Sequence, residues 1–473
     1  MRIPLIDSLF APPLAALTAG GLLVVGLDGC ATHRSEPPPI KVPASWTASA
    51  AASDGAPLTQ DWFRAFGSPE LETLIASAYS ENLDVQAADA RLRQADARAR
   101  AAGAALLPQI DANGNATNFR GHSPAGSTSE TDWTAGVTAS YEIDFWGKKR
   151  AARDSAVFLR RASQADRALL MLDTLTSIAN TYFQVIALRE EISLAEETAR
   201  NAQRLLDLVL ARASTGMANP AEVAQQRAAV AGTEIHVREL QQQESAALAT
   251  LAILVDKTPD AFSITAQDLA GLNAPRVAPG LPSELLARRP DVLSAEETLL
   301  SAHADLLQAR AAFFPSLTLT GSAGLANPAV NAAINVLTGT GPSFTFTGNL
   351  VQTIFDGGRL RAARDEARAR EEEMIAHYRA AALSALWDVE TALSAIARLD
   401  QQAAAQQESL EQSELGFASA QARYQAGSGD FLTVLDAERA LILVRQQMGQ
   451  YRLARLQAAV GLCKALGGGW RAE

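Results

Sequence analysis

The sequence predicts an α+β membrane protein whose plan is stated twice, with four β-strands per subunit pooled between copies into a shared barrel and long α-helices forming a tube. Three observations carry this expectation. One large unit repeats at a constant offset, four short runs alternate between oily and polar residues, and two long helical stretches contain no proline.

Composition narrows the field before any motif is considered. With 41 Lys and Arg against 52 Asp and Glu, the formal net charge is -11. A nucleic-acid footprint needs the opposite, a basic face that displaces counterions from phosphates. Ala, Gln, Leu, Arg and Glu dominate long stretches, and these side chains lose little or no freedom in a helix. Cys30 and Cys463 are the two cysteines, so no disulfide framework and no Cys-based metal site can be built. His33, His122, His236, His303 and His377 are scattered without ligand spacing. There is no phosphate-binding loop, HExxH, GxSxG or dinucleotide-binding glycine pattern. The expectation is a protein that is not an enzyme, with no cofactor beyond a covalent lipid.

Residues 1–29 read as a signal peptide. Arg2 precedes an apolar stretch from Leu9 to Leu27, and Leu27-Asp28-Gly29-Cys30 resembles a lipobox, with Asp28 an unusual occupant. Cys30 is then the first mature residue, acylated through its sulfur and its amine; the competing reading is a plain signal peptide with an incidental cysteine. Ala31, where Asp would signal retention, points to the outer membrane. Acyl chains bury about 0.8 kcal/mol per methylene, so several of them anchor an N-terminus firmly. Pro12 and Pro13 spoil the apolar stretch as a spanning helix, and no later run of about 20 apolar residues occurs. Residues 30–68 follow as a lipidated N-terminal extension.

Residues 69–255 and 283–466 are two copies of one unit, joined by 256–282 and followed by a tail, 467–473. Asn82-Leu83-Asp84-Val85 with Leu106-Leu107-Pro108 is echoed 207 positions later by Arg289-Pro290-Asp291-Val292 with Phe313-Phe314-Pro315. Ala151-Ala152-Arg153-Asp154 matches Ala362-Ala363-Arg364-Asp365, and Arg212 with Gly216 matches Arg423 with Gly427, both at an offset of 211. Chance matches would drift, so a large unit has been duplicated. Each unit reads helix, strand, loop, strand, very long helix, turn, return helix. The first helix runs from about 69 to 107 and its copy from about 283 to 314, each stopped by a proline that cannot continue the hydrogen-bond ladder.

The strands are expected at about 108–118, 132–146, 315–326 and 343–355. In the second, Trp133, Ala135, Val137, Ala139, Tyr141, Ile143 and Phe145 alternate with Thr134, Gly136, Thr138, Ser140, Glu142 and Asp144. The others follow suit: Ile110, Ala112, Gly114 and Ala116; Leu317, Leu319, Gly321 and Ala323; Phe344, Phe346 and Leu350. Such a two-faced run of about ten residues is what a tilted strand needs to cross a bilayer. The alternation slips around Gln352, which reads as a bulge or the membrane boundary. The competing reading is a soluble sandwich whose oily side faces a core. Four strands cannot seal a membrane barrel alone, because open edges in lipid leave backbone groups unpaired. Copies must therefore pool them, and three copies give 12, an even number suited to an antiparallel closed barrel.

From about Lys149 to Ala213 and from about Arg359 to Ala426 there is no proline, and at 1.5 Å per residue each stretch extends nearly 100 Å. Leu172, Leu175, Ala179, Tyr182 and Ile186 form one seam; Val185, Leu188, Ile192, Ala195, Ala199 and Ala202 form a second beside it. In the copy, Leu386, Val389, Leu393 and Ile396 repeat the pattern. Two adjacent seams let a helix pack on both sides and close a ring, whereas an ordinary two-stranded coiled coil needs one. The turns near 213–220 and 425–430 carry Gly216 and Gly427 as helix stops, with Asn219 and Asp430 as expected N-caps.

Ala287-Arg288-Arg289-Pro290-Asp291-Val292, running on through Ala309-Arg310-Ala311-Ala312-Phe313-Phe314-Pro315-Ser316-Leu317-Thr318-Leu319, resembles the hallmark stretch of the NodT/OprM branch of the TolC/OprM outer-membrane factor family. Arg423-Tyr424-Gln425-Ala426-Gly427, followed by Asp430-Phe431-Leu432-Thr433-Val434-Leu435-Asp436-Ala437-Glu438-Arg439, resembles its second tip. The resemblance spans nearly the whole mature chain; Asp28 and the first tip depart from the pattern. It implies a lipid-anchored homotrimer, with a 12-stranded barrel, a periplasmic α-barrel of 12 helices, and an equatorial belt from 256–282 and the two termini. It further implies a periplasmic adaptor (membrane fusion) protein and an inner-membrane transporter of the RND type as partners. The implied function is the passive exit duct of a tripartite efflux system for drugs, metals or other small molecules. Alternatives are the exit duct of type I protein secretion and a structural coiled-coil lipoprotein. Threefold symmetry would turn Asp430 and Asp436 into carboxylate rings near the closed end, with Arg423 and Arg439 as ion-pair partners of the closed state. Gly216, Met217, Gly427 and Gly429 are the expected adaptor-contact tips. The transported substrate cannot be read from the chain.

Overall fold

A computed structural model of the chain describes residues 40–47, 55–123, 126–216, 218–326 and 343–470. The expected signal peptide, the lipid site at Cys30, Met217 and the connection 327–340 lie outside the described residues.

Each half begins with two helices, where one was expected. In the first half, α1 (Pro69–Glu81) and α2 (Leu83–Ala104) are separated by Asn82. Asn82 is extended, its Oδ1 accepts the Val85 N–H at 3.0 Å, and its Nδ2 donates to the Leu254 carbonyl at 2.9 Å. The side chain thus caps one helix and pins the end of another. In the second half, α5 (Pro282–Leu286) and α6 (Pro290–Ala311) are separated around Arg289, 207 positions on. There Pro290 keeps the residue before it out of helical geometry.

One antiparallel sheet follows the order β1 (Gln109–Ser123), β2 (Gly126–Ile143), β3 (Ser316–Ala326), β4 (Ser343–Val351). Both β1 and β2 continue well past the oily alternation. The second and fourth strands stop at Ile143 and Val351, short of the expected 146 and 355. Two long helices, α3 (Lys148–Ser214) and α7 (Arg359–Gln425), have 67 residues each, about 100 Å. Their return helices, α4 (Pro220–Leu254) and α8 (Phe431–Ala465), have 35 residues each.

The duplication holds at the level of single contacts. Gln109 pairs with Ser140 in β1·β2, and Ser316 with Val351 in β3·β4, a transfer by 207 and 211. Arg160 pairs with Asp96, and at the transferred positions Glu371 pairs with His303. Arg189 pairs with Glu244, and Asp400 with Arg455, the charges exchanged. Asn82 reaches the Leu254 carbonyl, and Arg289 that of Ala465.

Helices pack as a layer one helix thick. Near the sheet the order is α2, α3, α6, α7; toward the tips it is α4, α3, α8, α7. A belt between these levels holds the largest core, where Phe66 lies 5.1 Å from Phe183, among Leu71, Ile75, Ile178, Tyr182 and Ile186. Each large side chain buried there contributes about 1.5–3 kcal/mol. The first seam of α3 is buried throughout, and of the second Val185, Leu188, Ala195 and Ala202 are buried while Ile192 and Ala199 are partly so. On α7, Leu386, Val389 and Leu393 are buried. By length and composition alone α7 passes for a membrane-spanning helix, which the sequence reading did not anticipate. Only 28% of its apolar stretch is buried within the chain, with Leu383 and Trp387 left exposed, and its Asp388 is paired with Arg289.

Candidate functional site: a bare sheet, its helices and their tips

The register puts the oily residues of all four strands in rows on one face. Ile110, Ala139, Gly321 and Phe346 form one row; Ala112, Val137, Ala323 and Phe344 form the next. Asp111, Thr138, Ser322 and Thr345 form a row of the other face, which is lined with hydroxyls and amides. Among the described side chains of the sheet none is buried: Ile110 is 70% exposed, Phe344 and Phe346 77% each, Leu350 68%. No core lies behind either face, so the sandwich reading fails. Among the described residues, the outer edges of β1 and β4 have no strand beside them.

Where the sheet meets the helices, carboxylates organise the helix starts. Asp144 accepts the N–H groups of Lys149 (3.0 Å) and Arg150 (2.9 Å) as well as Arg150 Nε (3.1 Å). Partial burial pushes its carboxyl up, but these donors outweigh burial and hold it below the usual range. Asp356 does the same for α7, accepting from Gly358 N at 3.0 Å and Leu360 N at 2.9 Å. Gly147 and Gly358 precede the helices with φ of 79° and 94°, which glycine adopts without strain. Three basic residues at this junction are engaged: Lys149 with Glu142, Arg150 with Asp144, Arg364 with Asp365. Trp146 stacks on Phe314 at 4.6 Å and donates Nε1–H to the Pro315 carbonyl, tying the two halves together.

At the far end a second cluster, Val209, Ala420, Tyr424, Phe431, Val434 and Leu435, joins the two hairpin tips. Arg212 Cζ sits 4.7 Å from the centre of the Tyr424 ring, so the α3/α4 tip is clasped to the α7/α8 tip. Gly216 and Gly427 have φ of 75° and 74° and end their helices. At the second tip Ser428 N donates to Arg423 O and Gly427 N to Tyr424 O, the bond pattern of a Schellman stop. Gly429 is required for closeness: a Cβ there would lie 3.0 Å from the Arg423 carbonyl carbon. Asn219 caps α4, its side chain accepting from Glu222 N. Asp430 does not cap α8, contrary to expectation: its carboxylate makes no cap bond and stays in solvent, while Ser428 closes this turn by donating its hydroxyl and N–H to Arg423 O. Arg423, Asp430, Asp436 and Arg439 are all exposed and form no ion pair among the described residues.

Sequence reading missed Arg289 as a hub. Only 8% exposed, it grips Asp291 (2.9 and 2.7 Å), Asp388 (2.8 Å) and the carbonyls of Ala465 and Ala385. The available signal was Arg-Pro-Asp at a helix start. Glu70 was missed as well. Burial raises its carboxyl, but Thr265 N and Oγ1, Ala266 N and the Tyr182 hydroxyl outweigh burial and leave it lowered. Burial and that carboxylate push the Tyr182 phenol up to about 12.

A one-layer sheet with an oily and a hydroxyl-rich face, continued by a layer of helices about 100 Å long, defines a subunit of an outer-membrane channel. The chain belongs to the outer membrane efflux protein family, whose model matches residues 74–255 and 281–468, the two halves of the duplication. It is 43% identical over 443 residues to the pyoverdine export outer membrane protein OpmQ of Pseudomonas aeruginosa, covering 92% of each chain. It is 30% identical to the cation efflux system protein CusC of Escherichia coli, covering 87% of this chain and 88% of that one. Among solved structures, the outer-membrane channel OprN superposes with a TM-score of 0.85 at 25% identity, over 93% of this chain and 99% of the other. The open-state MtrE channel of Neisseria gonorrhoeae gives 0.78 at 28% identity, over 92% and 98%. The protein is thus the outer-membrane exit channel of an efflux system.

Proposed function

We propose that three copies, each anchored by lipid at Cys30, close a 12-stranded barrel and a 12-helix periplasmic tube that serve as the passive duct of an RND-type tripartite pump. The bare sheet carries this reading. Its open edges need partners in lipid, and the partner available is the opposite edge of another copy. Four helices at each level of one chain become twelve in three.

An adaptor seats on the tips formed by Gly216, Met217, Gly427 and Gly429, and an inner-membrane transporter supplies the energy. Asp430 and Asp436 form the carboxylate rings of the closed end, and Arg423 and Arg439 pair with acids of neighbouring copies, since they have no partner in their own. The cargo is a small molecule chosen by the transporter; the 43% identical pyoverdine exporter makes pyoverdine the first candidate to try. The decisive experiment is the mass of the detergent-solubilised protein together with its conductance in planar bilayers. Trimers that conduct are expected, with Asp430→Ala reducing cation preference and Arg439→Ala raising conductance. A monomer, or a trimer without conductance, overturns the reading.

A further inference from the structure

Contacts inside each half obey one rule, transfer by 207 for the first helix and first strand and by 211 for the rest. Contacts between the halves of one chain are subject to the same rule, and transferring them names contacts between copies. The α8·α3 joint within a chain becomes the joint between α4 of one copy and α7 of the next. This step rests on the trimeric assembly proposed above.

Exposure supports the transfer independently. Leu172 and Thr176 of α3 are buried at 7% and 3%, covered in part by the chain just beyond α8, where a Cβ on Gly468 would touch Leu172. Their counterparts on α7, Leu383 and Trp387, are 58% and 67% exposed in the lone chain. Ile253, at the end of α4, is 70% exposed. Transfer of the Lys464–Asp173 ion pair (2.8 Å) places Ile253 of one copy at Ser384 of the next, between those two uncovered residues. The apolar residues left bare are the ones the rule brings together. On the sheet the same rule sets Leu350 of β4 opposite Gly114 of β1 in the next copy, a large residue against none.

The two kinds of joint differ in charge. Within a chain, α8 is held on α3 by Arg445–Glu197 (3.8 Å), Arg452–Glu190 (2.9 Å) and Lys464–Asp173. Transferred to the joint between copies, these become Glu234 against Glu408, Gln241 against Gln401, and Ile253 against Ser384. All three ion pairs vanish, and the contact nearest the tips sets like charges together. Glu234 and Glu408 are both exposed and form no side-chain hydrogen bond or ion pair among the described residues.

We propose that Glu234 of one copy faces Glu408 of the next across this joint, and that the like-charged contact makes the joints between copies the places where the tube wall parts toward its tips. Apolar contacts near the belt hold the joint at one end, and repulsion loosens it at the other.

The register is tested on the full chain with Glu234→Cys/Glu408→Cys under mild oxidation, beside Glu234→Cys/Gln401→Cys, displaced by two turns. Disulfide-linked subunits are expected with the first pair and not the second. Wild-type trimers that fail to link through 234 and 408, or link better through 401, overturn this inference and leave the trimer standing; a monomeric wild type overturns both. The device is tested by charge in planar bilayers. Glu408→Lys converts the contact into an ion pair and is expected to lower the open-to-closed ratio roughly two- to five-fold for each pair formed. Arg445→Glu, which acts on the joint within a chain, is expected to leave it unchanged. An unchanged ratio in Glu408→Lys, or a ratio raised more by Arg445→Glu than Glu408→Lys lowers it, overturns the proposed parting of the wall.

Discussion

Arg289→Met removes the charge from the hub while keeping much of the side chain's bulk. Breaking a buried ion pair by deleting one partner costs about 3–5 kcal/mol, because the other charge is left without compensation. Here Asp291 and Asp388 keep 26% and 32% of their side-chain exposure, so water relieves part of that penalty and about 2–4 kcal/mol is expected. The internal control is Asn82, which holds the same position in the other half with a neutral side chain. Asn82→Ala loses a helix cap and strands one carbonyl, about 1–2 kcal/mol together. Urea unfolding followed by far-ultraviolet circular dichroism, at one protein and one detergent concentration, compares the two variants with wild type. If Arg289→Met loses no more stability than Asn82→Ala, the charge network is not what pins α6, α7 and α8 together.

Glu70 titrates below its ordinary range when folded, so its contribution is complete above the unfolded value and is lost as pH falls through the lowered one; Glu70→Gln is expected to be less stable than wild type at neutral pH, with the gap closing in acid, measured by urea midpoints across pH. Phe346→Arg, on the oily face, is expected to cost about 2–4 kcal/mol and block assembly in lipid, whereas Thr347→Arg, one position along, assembles normally and shifts ion selectivity in planar bilayers. Arg212→Met removes the clasp on Tyr424, worth about 0.5–2 kcal/mol, and is expected to raise single-channel conductance without dissociating trimers.

Periodic features were legible in the sequence because they repeat within a few residues. Alternation located the strands, and unbroken Ala-rich runs located the long helices. Alternation also misled, since hydrophobic contrast marks only the part of a strand that meets lipid. Beyond it β1 and β2 continue as hydrogen-bonded ladder through Arg120 and Thr128, where no oily face is needed. The end at Ile143 was overshot because Phe145 keeps the rhythm, and the end at Val351 because Ile354 and Phe355 extend the apolar content beyond Gln352, where the alternation has already slipped. The break at Asn82 has no proline or glycine to announce it, and its cause lies 172 residues away at Leu254. The hub at Arg289 and the clasp at Arg212 likewise join distant segments. No local pattern reports such contacts, whereas the constant offset reports their counterparts once one of them is seen.

A ring of six separate identical units would have to tighten or loosen all its joints alike. In the proposed trimer, fusing two units through residues 255–281 would make every second joint covalent, so that those three could be riveted with salt bridges at no risk to opening. The remaining three would then be free to evolve as hinges, and one side chain that the other half of the same chain never meets would set how readily the pipe dilates.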